Sequence, residues 1–140
     1  MRDNIYSGSN DTVLAALTFP TEIAFRKGKL TKHYPVFFRD KLWPDAEAAY
    51  QFWKKWCENY DQMRLLFIDI ATEKFLQYPE LFVELAKRGG TYYLKYSCVH
   101  VTGAKETFYQ GKGMESAFLR YLAEAYNATS AILEHKSRKP

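Results

Sequence analysis

The chain has 140 residues, of which 47% are hydrophobic and 17% aromatic. That is enough to fill one sizeable core and too much for a disordered segment. Lys and Arg total 20 against 16 Asp and Glu, a formal net charge of +4, which suits an anionic partner without identifying one.

The two cysteines, Cys57 and Cys98, form neither a CxxC pair nor a zinc-ligand spacing. No apolar run is long enough for a transmembrane helix. The opening stretch MRDNIYSGSNDT lacks the apolar core of a secretory signal. The sequence therefore predicts one soluble, cytoplasmic domain over residues 1–140. The sequon at Asn127-Ala128-Thr129 matters only in a secreted chain.

In chain order, residues 5–10 mix Tyr, Ser, Gly and Asn, as a turn or a pocket-lining loop does. Residues 13–19 are expected as a short strand. Residues 25–32 form a basic segment around Gly28, expected as an exposed turn. Residues 34–38 suit a strand, with Pro35 arguing for an edge position. Pro44 then opens a helix at its first turn, where a missing N–H costs nothing. Asp45 and Glu47 place negative charge beside the free N–H groups. That helix is predicted to reach Asn59 or Tyr60. Its apolar stripe of Ala46, Ala49/Tyr50, Trp53, Trp56/Cys57 and Tyr60 should face the core.

A second helix is expected over 62–74, and Pro79 starts a third that Gly89 and Gly90 stop. Residues 91–101, rich in Tyr, Val and Thr, are the best strand candidate. Residues 103–113 read as a loop with three glycines. The longest helix should run from Glu115 to about Glu134, before a tail that frays from about His135. The fold class is mostly α (α+β).

The chemistry concentrates on the helix after Pro44. Glu47, Gln51 and Lys54 share one helix face, with Tyr50 at its border. A carboxylate, an amide and an ammonium are thus presented together beside aromatic rings. Such a wall suits a pocket for a polar ring. Gln51 would read a heterocycle edge, and Tyr50 or Trp43 would stack on it. Glu47 would orient water or a ribose hydroxyl, or stabilise positive charge at a sugar carbon as a glycosidic bond breaks. Lys54 would pair with a phosphate or, if desolvated, act as a weak acid or attack an opened sugar aldehyde. The same spacing also describes an ordinary solvated face, worth tenths of a kcal/mol per pair.

Other groups invite weaker readings. Alternation puts Cys98 and His100 on one face of the expected strand, a conceivable Cys–His pair or a buried thiol beside a hydrogen-bonded imidazole. His100 also leads towards the glycine loop and so borders the expected pocket. Tyr109, Gly111 and Gly113 offer an aromatic and a backbone open to a phosphate or base, although no P-loop pattern is present. Glu106 or Glu115 is available as a second acid/base or merely exposed. His33, His100 and His135 are scattered, so no metal site is expected. No nicotinamide or flavin fingerprint appears, so no cofactor is expected either.

The stretch WPDAEAAYQFWK, Trp43 to Lys54, resembles the W-P-x-x-E-x-x-F/Y-Q-x-x-K hallmark of the NADAR family, also called YbiA-like proteins. Lys74, Phe75, Pro79 and Leu81 match a second pattern, K-F-x-x-x-P-x-L. Gly111 and Gly113 match a W-G-x-G-like loop, with Phe108 or Tyr109 in place of its tryptophan. The resemblance covers roughly residues 40–126.

It implies a YbiA-like helical domain with a few short strands, and metal-free hydrolysis of a ribosyl C–N glycosidic bond. The implied substrates are a phosphorylated ribosylaminopyrimidine of riboflavin synthesis or ADP-ribosylated guanine in nucleic acid. Glu47 and Lys54 then take the catalytic roles. Gln51 contacts base or ribose, and Lys74 binds phosphate or caps its own helix.

Several positions depart from the pattern. Asp11, not Phe, follows Ser9-Asn10. Ala48 stands where a histidine often follows the glutamate. The long approach to Trp43 suggests a basic insertion near 26–32. A rival class is a non-enzymatic nucleic-acid-binding or interaction protein. It would use Arg26, Lys27, Lys29 and Lys32, with Tyr34, Phe37 and Phe38 as stacking groups and a basic tail through Lys136, Arg138 and Lys139. Burial of Glu47 in a concave pocket would favour the enzyme.

Overall fold

The computed structural model describes residues 2–105 and 107–138. It is a mixed α/β fold, mostly helical, with a few short strands. Strand β1 (Asp3–Asn4) leads to helices α1 (Thr12–Leu17) and α2 (Thr21–Arg26). A hairpin of β2 (Val36–Phe38) and β3 (Lys41–Trp43) follows, then α3 (Ala46–Lys54), α4 (Tyr60–Gln77) and α5 (Pro79–Arg88). The chain closes with α6 (Thr91–Ser97), β4 (Cys98–His100), β5 (Gly111–Lys112), a 3-10 turn at Gly113–Glu115, and α7 (Ala117–Ser137). Among the described residues no helix is long and apolar enough to cross a membrane.

The centre is the packing of α4 on α7, the most extensive between any two elements. Leu66, Phe67 and Ile70 of α4 are buried with Phe118, Leu119 and Leu122 of α7. Phe67 is the hub: its ring stacks on Phe19 at 4.1 Å and meets Phe118 and Tyr121 edge-on at 5.5 Å. Each such pair adds about 0.5–1.5 kcal/mol beyond area burial. The strands form two small sheets. In one, β4 lies between parallel β1 and antiparallel β5; the other is the β2–β3 hairpin.

Two expected strands are helices. Residues 13–19 instead contribute α1, because Asp11 caps it: its Oδ1 accepts from Val13 N at 2.9 Å and Leu14 N at 3.2 Å. Asp11 also pairs with Arg88 at 3.0 Å, which explains an acid at this position. Residues 91–97 form α6, and only Cys98–His100 of the expected strand is extended. Tyr93 and Leu94 are buried while Tyr92 and Tyr96, one turn apart, are exposed. Here a helical burial pattern overrides the β-propensity of tyrosine.

Other boundaries move. Asp45, not Pro44, starts α3, with its side chain accepting from Ala48 N at 2.9 Å. The helix ends at Lys54, well short of Tyr60, because Asn59 caps a new helix through Gln62 N at 2.8 Å. Trp56 and Tyr60 are therefore exposed rather than in the core. Strand β3 was not foreseen. It pairs with β2 across Arg39 and Asp40, both in the left-handed region at φ 50° and 61°. The start of α5 at Pro79 and its stop at Gly89 match the sequence reading, and α7 runs past His135 to Ser137.

Candidate active site

A cavity of about 830 Å³ opens between α3, the α1–α2 corner, α4 and the loop after β4. Glu47, Tyr50, Gln51, Lys54, His100 and Tyr109, all singled out in the sequence, line it. The α3 face at Glu47, Gln51 and Lys54 is thus a cavity wall.

Glu47 is fixed at both ends. Its N–H donates to the Phe19 carbonyl at 3.3 Å, and its Oε1 accepts from Gln51 Nε2 at 3.4 Å. Burial pushes its pKa above the ordinary carboxylate value; nearby Asp45 adds to the rise, while Gln51 and Lys54 oppose it. Lys54 is half-buried, with its Nζ 5.5 Å from the Tyr50 ring centroid. It makes no ion pair among the described residues. Tyr50 is buried and its hydroxyl hydrogen-bonds that of Tyr109; burial and this partner keep it protonated.

His100 sits at the far wall. Its Nδ1 lies 2.6 Å from the Ile5 carbonyl and its ring stacks on Phe118 at 4.2 Å. A carbonyl partner requires Nδ1 to carry the proton, and burial lowers the pKa, so the neutral ring keeps Nε2 as an acceptor.

Four expected contacts lie elsewhere. Trp43 is buried and its Nε1–H donates to the Phe38 carbonyl at 3.1 Å; it does not line the cavity. Lys74 is buried beneath it, donating to the carbonyls of Ala16 at 2.5 Å and Thr18 at 2.6 Å. Its ammonium supports the Thr18–Phe19 wall rather than meeting a phosphate. Gly111 and Gly113 shape the turn before α7 and are not lining residues. At Gly113, φ is +49° and a Cβ would lie 2.1 Å from the Lys95 carbonyl oxygen.

Cys98 and His100 do share a buried face. Burial pushes the Cys98 thiol up to about 12, and Cys98 does not line the cavity, so the arrangement favours an inert thiol over a nucleophile. Glu115 is exposed, and Glu106 lies outside the described residues, as do Lys139 and Pro140. Among the described residues no group of three His, Cys, Asp or Glu is placed to hold a metal ion.

Sequence reasoning missed the apolar half of the cavity, where Phe19, Phe67, Phe118 and Met63 converge from α4, α7 and the α1–α2 corner. Only tertiary packing brings them together. Ser7, within the expected pocket-lining loop, is also on the wall. Compared with known proteins, the chain matches no family model, no curated protein and no solved structure.

Proposed function

We propose that this protein is an N-glycoside hydrolase of the NADAR type, cleaving a ribosyl C–N bond in a phosphorylated ribosylaminopyrimidine or in ADP-ribosylated guanine. The observation that carries this reading is the half-buried Glu47 on a cavity wall beside Gln51 and Lys54. The likeness of the Trp43 to Lys54 stretch to the family hallmark supports it. An aromatic floor of Phe19 and Phe67 suits a flat base.

In this mechanism the base lies against the rings, with Gln51 reading its polar edge. As the C1′–N bond breaks, positive charge grows at C1′ and the ionised Glu47 stabilises it. Water supplies hydroxide to C1′, and its proton ends on the departing base nitrogen. Partial desolvation strengthens the attraction between Glu47 and the developing charge. Lys54 pairs with the phosphate, or meets the C1′ aldehyde of the opened ribose.

The test offers the purified protein both substrates and follows products by chromatography with mass detection. Release of free base or free ADP-ribose, lost in Glu47→Gln, is the expected result. Full turnover by both Glu47→Gln and Lys54→Ala would overturn the assignment.

A further inference from the structure

The rival reading places nucleic-acid contacts on residues 26–38 and on the basic tail; within 26–38 Arg26 and Phe37 are exposed, while the other side chains it names are engaged or buried. Lys27 donates to Ser7 Oγ at 2.9 Å, Lys29 to Asn10 Oδ1 at 2.5 Å, and Lys32 meets Glu80 at 3.5 Å. Tyr34 and Phe38 are buried.

A different surface has the missing properties. Where α3 ends, Phe52, Trp53 and Trp56 form a ladder of rings 5.1–5.6 Å apart. Trp43 extends it through Phe52 at 5.0 Å. Trp56 is 61% exposed and so leaves a large ring accessible at the end of the ladder.

Three exposed cations lie over this ladder. Lys41 sits 4.2 Å from the Trp43 centroid, Lys55 5.2 Å from Phe52, and Arg39 4.6 Å from Trp53. None makes an ion pair among the described residues, although Asp69 lies within electrostatic reach of Arg39. Asp40 and Glu58 are the nearby acids in sequence.

We infer that this face binds single-stranded nucleic acid, with bases stacking on Trp56 and Phe52 and phosphates meeting Lys41, Lys55 and Arg39. A single strand alternates flat rings with anionic groups, which matches the exposed Trp56 ring and the edge of Phe52 set among cations without ion pairs. A duplex hides its base faces and does not match. The same helix carries Gln51 and Lys54 on the cavity wall, so a bound strand lies next to the cavity mouth. This inference stands apart from the hydrolytic reading, because it is read as strand binding and needs no turnover.

The test is fluorescence anisotropy with a labelled oligothymidine of twelve nucleotides, titrated with protein over a range of salt. Saturable binding is expected, with log affinity falling against log salt at a slope of about −2 for three phosphate contacts. Trp56→Ala should weaken binding about tenfold through lost stacking. Lys55→Glu should weaken it too, while Lys27→Glu leaves it unchanged and Glu47→Gln binds as the wild type does. Circular dichroism checks that each variant folds.

Absence of binding at low salt would overturn the inference. So would equal affinity for a duplex, or an undiminished affinity in both Trp56→Ala and Lys55→Glu. Preference for anionic vesicles over the strand would assign the face to a membrane surface instead.

Discussion

Replacing Lys74 with Met removes a buried titrating group while keeping most of its volume. Burial lowers the Lys74 pKa from 10.5 to about 7, with Asp45 opposing the fall. A neutral amine still carries two N–H donors, matching the two carbonyls of Ala16 and Thr18. Because the folded value lies below the unfolded one, the unfolded chain binds more protons between these two pH values. Stability must therefore rise with pH across that window.

Between pH 7 and pH 9 the gain is about 2 kcal/mol, or roughly 7 °C in Tm for a chain of this size. Lys74→Met loses this dependence and leaves two carbonyls unpaired, at a cost of about 1–3 kcal/mol each. Urea unfolding followed by tryptophan fluorescence at several pH values measures both effects. The variant should be the less stable protein at pH 9, with the gap narrowing by about 2 kcal/mol at pH 7. Parallel pH profiles for the two proteins would refute the reasoning, since every other titrating group is common to both.

Three further outcomes are expected. Glu47 has a folded pKa above its unfolded value, so its contribution is favourable below the unfolded value and is lost as pH rises through the folded one. Glu47→Gln should therefore raise Tm at pH 7, with the advantage shrinking in acid, while turnover falls about 100-fold or more. An unchanged or lowered Tm at neutral pH contradicts this. Gly113→Ala drives a Cβ into the Lys95 carbonyl at a positive φ and should lose at least about 3 kcal/mol in urea unfolding. An unshifted midpoint would show that the close approach is wrong. In the native protein, iodoacetamide should label half-buried Cys57 well before Cys98, whose thiol is buried and held up to about 12. Rapid labelling of Cys98, read by peptide mass, would reopen the Cys–His reading.

The sequence marked elements whose signals are local. Pro79 and Gly89 bracket α5 because a first-turn proline and a stop glycine act within a few residues. The Glu47, Gln51 and Lys54 face was legible for the same reason: one helix fixes its spacing. Residues 91–97 were misread because their tyrosines favour strands until Tyr93 and Leu94 find a common buried side. Asp11 and Asn59 are caps that the apolar pattern alone did not reveal. Lys74 matched a motif, yet its destination under the α1–α2 corner depends on contacts 56 and 58 residues away. The cavity's aromatic floor is non-local in the same way.

The parallel pairing of β1 with β4 has a consequence for synthesis. Asp3 is registered with Cys98 and Asn4 with Val99, and the Ile5 carbonyl accepts from His100. The first strand therefore has no partner in this sheet until the more than ninety residues that separate it from β4 have been polymerised. At about 5–20 residues per second, it waits several seconds with its edge open. During that interval the unpaired β1 edge is open to other partners, a chaperone among them. The His100 wall of the cavity takes its final place only when that wait ends.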